Sequence, residues 1–153
     1  MPDQVIIADT SCLIILKAID ELQLLEVTFG KITITEEVFK EFGEELPDWI
    51  IKKKSPIKVS KALESILDKG EASAIALALD QKETECLLIL DDLKARKFAK
   101  KSGLNILGTI GVISKAEKEG KIERGMTIIE KIQKTNFRLS DKIVEVVKKQ
   151  LKQ

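Results

Sequence analysis

Short aliphatic runs separated by segments of helical periodicity are the feature that most constrains the fold of this chain. Val5 to Ala8 and residues 86–90 are apolar runs, and each is followed directly by aspartate. Residues 32–34 and 105–107 are two further short runs. Their length and aliphatic content predict buried strands. Because helical segments lie between them, we predict an α/β fold: a three-layer α/β/α sandwich with a small central parallel sheet.

The segments between the strands are predicted to be mostly helical. Helices are expected from Asp9-Thr10-Ser11 to about Ala18, after Leu22, from Glu36 with Thr35 as N-cap, over 62–68, from Glu71 to about 82, over 94–102, and over most of the chain after Thr109, with a cap at Ser140. Gly70 is expected to separate two of these helices. Pro47 to Pro56 is the least regular stretch, and we predict a loop there with a helical piece.

The chain has 153 residues, which fits one domain. We expect a core over about 5–115 and a helical tail over about 116–153. The first residues lack the pattern of a signal peptide, and no apolar run is long enough to span a bilayer. We therefore expect a cytoplasmic protein without membrane contact. The two cysteines, Cys12 and Cys86, are too few for a disulfide scaffold and are predicted to be small buried hydrophobes.

The composition excludes several kinds of chemistry. The chain contains no histidine and no tyrosine, so neither a histidine base nor a histidine metal ligand is available. Aromatic residues make up only 4%, which disfavours a base-stacking platform. The net charge of +1 gives no strong global attraction to nucleic acid. Hydrolysis by this chain would depend on carboxylates, lysines, hydroxyls or a metal ion.

Two predicted strands end in aspartate, at Asp9 and at Asp91. In open α/β sheets, ligands bind beyond the carboxyl ends of the strands, where the strand order reverses. If the two strands are neighbours, these carboxylates face each other, and a hard cation such as Mg²⁺ or Mn²⁺ would offset their repulsion. The alternative is helix capping, since both aspartates precede predicted helices.

Two glutamates are further candidates. Glu71 begins a stripe with Ile75, Ala78 and Leu79 that faces the core, so its carboxylate should lie at the edge of the core and need a partner. Glu41 has no basic residue three or four positions away, which leaves its charge unrelieved on the helix. Each has an ordinary alternative: Glu71 as a first-turn acid that favours the helix dipole, and Glu41 as part of a solvated acidic face.

The ordered set of motifs resembles the PIN-domain nucleases. The matching segments are Ile6-Ile7-Ala8-Asp9-Thr10-Ser11, residues 37–41, residues 69–78, residues 88–92, and the stretch from Arg96 to Gly111. The resemblance covers roughly residues 5–115, with a helical tail similar to one subgroup that is common in archaea and bacteria. It implies a metal-dependent ribonuclease, and many family members are toxins of toxin–antitoxin pairs. A homodimer and an antitoxin partner are therefore further expectations.

Position by position, the resemblance implies a site for one or two Mg²⁺ or Mn²⁺ ions made by Asp9, Glu41, Glu71 and Asp91. Asp92 could replace or supplement Asp91. Ser11, with Thr10 beside it, matches the small polar residue that orients the site. Glu37 lies one turn from Glu41 on the same helix face and competes with it for this match.

An acidic site repels RNA, so nearby cations are needed to guide the backbone. Lys94 and Lys97 share one face of the helix that begins after Asp91-Asp92, and Arg96 flanks it. A guanidinium can engage phosphate in bidentate fashion, which makes Arg96 the better candidate of this group. Lys52-Lys53-Lys54 is a second basic patch. For the lysines, an ordinary solvated face is the alternative.

Two other functions compete with the nuclease. One is a PIN-like nucleic-acid-binding or assembly module whose acidic site is weak or unused. The other is a phosphoacceptor signalling domain, which also places acids at strand ends. In that class the acidic pair is expected after the first strand, whereas here the pair Asp91-Asp92 comes late.

Overall fold

The computed structural model describes residues 4–81, 85–135 and 151. Within them the chain forms a parallel five-stranded sheet in the order β3-β2-β1-β4-β5. The strands are β1 Val5–Ala8, β2 Ile32–Thr35, β3 Ile50–Lys53, β4 Cys86–Ile89 and β5 Asn105–Leu107. The helices are α1 Thr10–Ala18, α2 Gln23–Phe29, α3 Glu36–Phe42, α4 Ile57–Leu63, α5 Lys69–Asp80, α6 Leu93–Lys101, α7 Thr109–Lys118 and α8 Gly125–Gln133.

Alternate residues of the central strands build two separate cores, one on each face of the sheet. In β1, Ile6 belongs to a cluster with residues of α1, α2, α7 and α8, whereas Ile7 belongs to a cluster with residues of α4, α5 and α6. In β4, Ile89 and Leu88 divide in the same way. This period of two follows from the pleat of a strand. The predicted α/β/α sandwich is therefore confirmed.

The strand order places the switch in winding direction beside β1. The chain passes from β1 to β2 and β3 on one side and later to β4 and β5 on the other. Asp9 follows β1, and its backbone N–H donates to the carbonyl of Ile89 at 3.0 Å. The carboxyl ends of β1 and β4 thus meet at one edge, which is where α/β sheets bind ligands.

Three of the secondary-structure predictions are wrong. Ile50–Lys53 is an edge strand, although a loop with a helical piece was expected there. Its residues after Ile50 are exposed and include lysines, so the strand lacks the apolar alternation that marks a half-buried strand. The helix expected over 62–68 in fact runs from Ile57 to Leu63.

The break expected at Gly70 is also wrong, because Gly70 lies inside the first turn of α5. The cap expected at Ser140 lies outside the described residues, as do residues 136–150 of the predicted tail. Cys12 is buried and Cys86 is half-buried, as small apolar residues can be. Over the described residues, no helix is long and apolar enough to cross a bilayer.

Candidate metal and active site

Asp9 directly follows β1, at the carboxyl edge of the sheet. Asp9 is only 3% exposed, and its Oδ1 atom is buried with no hydrogen-bond partner among the described residues. Although Asp9 occupies the N-cap position of α1, its side chain makes no capping hydrogen bond. The capping alternative therefore does not account for this carboxylate, and a buried polar atom without a partner is costly to the fold.

Burial raises the pKa of Asp9 to about 7, although a hydrogen bond from the backbone of Thr10 opposes the shift. The carboxylates of Glu71, Asp68 and Glu41 raise the pKa of Asp9 further. Like charges thus surround an acid that water barely reaches, which is an arrangement that a cation would stabilise.

Glu71 lies in the first turn of α5 and is 8% exposed. Burial raises its pKa to about 7, and the charges of Asp68, Asp92 and Glu41 act in the same direction, while a hydrogen bond from the backbone of Asp68 lowers it. The N–H of Glu71 in turn donates to Asp68 Oδ1 at 2.9 Å, so the two residues form a capping box.

Two hydrogen bonds of Ser73 hold α5 against the sheet. The hydroxyls of Thr35 and Ser73 lie 2.7 Å apart, and Ser55 Oγ donates to the carbonyl of Ser73 at 2.8 Å. Thr35 also caps α3, accepting from the N–H of Val38 at 3.1 Å. Because β2, α3 and α5 are joined at this point, the first turn of α5 is kept beside the carboxyl edge of the sheet.

Glu41 reaches the same edge from α3. Thr10 Oγ1 donates to Glu41 Oε2 at 3.0 Å, which ties the carboxylate to the residue next to Asp9. Glu41 itself is exposed, so its side chain keeps access to solvent. Thr10 thus holds one oxygen of this carboxylate. Ser11 is half-buried, and the described residues give its hydroxyl no hydrogen-bond partner.

Asp91 and Asp92 have different surroundings. Asp91 Oδ1 accepts from the N–H of Thr109 at 2.7 Å, and its Oδ2 accepts from Thr109 Oγ1 at 2.6 Å. Asp91 thereby holds the start of α7. Asp92 caps α6, accepting from the N–H of Ala95 at 2.9 Å. Both carboxylates serve the start of a helix, although Asp92 is also close enough to Glu71 to raise its pKa.

Cys12 is fully buried, and the charges of both Asp91 and Asp9 reach it. Burial raises the pKa of its thiol, and the charges of Asp91 and Asp9 act in the same direction, while a hydrogen bond with Thr109 lowers it. Without metal, the thiol is therefore protonated at neutral pH and is not a thiolate nucleophile.

The predicted RNA-binding cations lie on α6, next to this edge. Lys94 and Lys97 are exposed, and Arg96 Nη1 donates to the carbonyl of Leu90 at 3.0 Å. That hydrogen bond fixes the guanidinium at the carboxyl end of β4, close to Asp91. In the second basic patch, the ammonium of Lys52 lies 4.3 Å from the centre of the Phe39 ring.

The described residues contain no group of three or more cysteine or carboxylate side chains placed closely enough to hold a metal ion. The chemistry of the donors nevertheless suits Mg²⁺ or Mn²⁺, because Asp9, Glu41 and Glu71 offer only oxygen atoms. The buried oxygen of Asp9 is the position that most needs a positive partner. The fit therefore depends on Asp9, whose pKa is raised by the charges of Glu71, Asp68 and Glu41.

Three residues important at this edge were missed by the sequence reasoning. Asp68 raises the pKa values of both Asp9 and Glu71, and its spacing of three from Glu71 is a capping-box signal that could have identified it. Thr109 was expected only at the start of a helical segment, and its hydrogen bonds to Asp91 join positions 18 apart, which no local pattern indicates. Gly70 was interpreted as a helix break, whereas a side chain there would collide with Glu41.

Comparison with known proteins gives one match. The family model DUF3368, described as a PIN domain, matches residues 5–153. No curated protein and no solved structure gives a significant match to the chain.

Proposed function

Because the chain belongs to the PIN-domain family, whose fold is that of nucleases, we propose that it is a Mg²⁺- or Mn²⁺-dependent endoribonuclease. The observation that carries the proposal is the Oδ1 atom of Asp9, which is buried at the carboxyl edge of the sheet without a hydrogen-bond partner. Glu41 and Glu71 surround it with further negative charge. A divalent cation would turn this unfavourable arrangement into a binding site.

Asp9, Glu41 and Glu71 are the proposed metal ligands, and Asp91 or Asp92 completes the set. The bound ion would supply Lewis acidity, which makes water a better nucleophile and offsets charge that grows on the phosphate. Thr10 orients the carboxylate of Glu41, and Thr109 orients that of Asp91. The proposed products carry 5′-phosphate and 3′-hydroxyl ends, since the chain has no histidine to activate a 2′-hydroxyl.

Arg96, Lys94 and Lys97 are the proposed contacts to the RNA backbone. They lie on the helix that begins two residues after Asp91, and Lys94 and Lys97 are exposed to solvent. Cations beside an acidic site compensate for its repulsion of phosphate. The further proposals of a toxin role, an antitoxin partner and a homodimer rest on the family resemblance alone.

A nucleic-acid-binding or assembly module is the second candidate, and one observation favours it. The carboxylates of the described residues are not gathered within metal-holding distance. A module of this kind would bind RNA through α6 without cleaving it, and its carboxylates would not bind Mn²⁺.

Cleavage of a mixed RNA pool in Mn²⁺ tests the proposal. Asp9→Asn keeps the shape of the side chain but removes its charge, and we expect cleavage to fall at least roughly a hundredfold, the scale of losing a main source of charge stabilisation. Asp80→Asn, at the exposed far end of α5, is the matched control and should cleave like wild type.

The ends of the products give a second measurement in the same assay. We expect 5′-phosphate ends, detectable by ligation to an RNA adaptor. Equal cleavage by wild type and Asp9→Asn would defeat the nuclease assignment, and binding of RNA without any cleavage would favour the module.

A further inference from the structure

Gly70 is an unusual residue for its position. It is buried at the second position of α5, in a helix where Ala72, Ala74 and Ala76 fill the following positions. Glycine is less favourable than alanine inside a helix because more backbone entropy is lost. The φ angle of Gly70 does not lie in the left-handed region that favours glycine. The backbone therefore does not require glycine here.

The space beside Gly70 is taken by the carboxylate of Glu41. A Cβ atom built on Gly70 would lie 2.8 Å from both Cδ and Oε2 of Glu41, and closer still to Oε1. Each of its three nearest atoms belongs to this one side chain. The carboxylate of Glu41 thus occupies the space that a side chain at position 70 would enter first.

A second contact holds the same carboxylate. Thr10 Oγ1 donates to Glu41 Oε2 at 3.0 Å. Thr10 is adjacent to Asp9 and Gly70 is adjacent to Glu71, so the carboxylate lies between the starts of α1 and α5. Its charge is felt by both of those buried acids.

We infer that Gly70 is a positioning residue, whose lack of a side chain lets the carboxylate of Glu41 lie beside Asp9 and Glu71. This inference rests on the proposed metal site. The colliding group is the flexible end of an exposed side chain, so an alanine at position 70 would move the carboxylate of Glu41 and leave the fold intact. Glycine at this position serves the site, at the expense of helix stability.

The Gly70→Ala variant tests this inference by two measurements, Mn²⁺ affinity by calorimetry and thermal unfolding without metal. We expect Mn²⁺ affinity to fall about 10- to 100-fold, the range seen when residues that orient metal ligands are changed. The unfolding temperature should stay the same or rise, because alanine is the better helix former. A merely structural glycine would give the opposite pair of results.

Gly111→Ala is the matched control. Gly111 also lies in the first turn of a helix, and a Cβ there would collide with a flexible side chain, that of Leu107, which carries no charge. We expect this variant to bind Mn²⁺ like wild type. Loss of Mn²⁺ affinity in both glycine variants would mean that any crowding of these helices disturbs the site, and would overturn the role of Gly70.

A shortened acid provides the rescue experiment. Glu41→Asp withdraws the carboxylate by one methylene, which should weaken Mn²⁺ binding in wild type but relieve the collision in Gly70→Ala. We therefore expect the double variant to bind Mn²⁺ at least as tightly as Gly70→Ala alone, a non-additive result. If the two losses simply multiply, residues 41 and 70 act independently and the inference fails.

The possible failures are distinguishable. If wild type binds no Mn²⁺, the proposed metal site is wrong and the inference falls with it. If wild type binds Mn²⁺ and Gly70→Ala binds it equally well, the site stands and only the role of Gly70 is overturned.

Discussion

Two groups of acids at the same edge of the sheet have opposite relations to the fold. Asp91 and Asp92 accept hydrogen bonds from the starts of α7 and α6, so the native structure satisfies them. Asp9 keeps a buried oxygen without a partner, and other carboxylates raise its pKa. All three are aspartates that follow a strand. The difference shows that position at a strand end does not decide whether an acid supports the fold or is left available for a ligand.

The pH dependence of the free energy of unfolding should reveal how much the buried carboxylate of Asp9 destabilises the fold. Its pKa is about 7 in the folded protein against 3.8 as the ordinary value. Between these values the folded protein holds a proton that the unfolded chain has released, so the free energy of unfolding falls as pH rises through this window. At pH 8 without metal the penalty is up to about 4 kcal/mol, since one pKa unit corresponds to about 1.4 kcal/mol.

Thermal unfolding of wild type and Asp9→Asn at pH 4, 6 and 8 measures this penalty. We expect Asp9→Asn to have the higher unfolding temperature at pH 8, and the difference between the two proteins to shrink toward pH 4. Comparing the two proteins at each pH cancels the titration of acids that do not interact with Asp9. A difference that does not change with pH would mean that Asp9 is not buried in unfavourable surroundings.

Asp91→Asn should have the opposite effect on stability. An asparagine at position 91 loses the charge that strengthens both contacts with Thr109, and the Thr109 hydroxyl must turn from donor to acceptor to meet its amide group. We expect a loss of about 2 kcal/mol in the free energy of unfolding at pH 7, measured by denaturant titration. If Asp91→Asn were as stable as wild type yet unable to bind Mn²⁺, Asp91 would belong with Asp9 and the comparison would fail.

Asp92→Ala should show the smallest change. It removes the cap of α6, and loss of an N-cap costs about 1 kcal/mol. For a domain of this size, this corresponds to a fall of roughly 2–4 °C in the unfolding temperature. Mn²⁺ affinity measured on the same sample sharpens the comparison: loss of stability alone makes Asp92 a cap, and a large loss of affinity makes it a ligand as well.

The sequence was sufficient for the layered fold because that fold depends on burial. The strands β1, β2, β4 and β5 carry apolar residues, and the cores on both faces follow from their alternation. The edge strand Ile50–Lys53 was not predicted because its exposed lysines give no pattern of buried residues. Burial patterns thus predict the centre of the sheet better than its edges.

The site could be predicted only in part, because its geometry depends on contacts between distant segments. That Asp9 and Glu71 lie at the edge of the core followed from strand and helix periodicity. The hydrogen bonds between Thr109 and Asp91 join residues 18 positions apart. The collision that excludes a side chain at position 70 involves Glu41, which lies 29 positions away. Local rules instead favoured a break at Gly70, and they treated Asp9 and Asp91 as equivalent.

The most direct test of this account is a calorimetric titration of metal-free protein with Mn²⁺, performed in parallel on wild type and Asp9→Asn at pH 8. Since the buried carboxylate of Asp9 is the group that requires a cation, we expect wild type to bind Mn²⁺ and Asp9→Asn to show no measurable binding at the same concentrations. Binding of Mn²⁺ by both proteins with equal affinity, or by neither, would contradict the central claim that Asp9 is left without a partner in order to hold a metal ion.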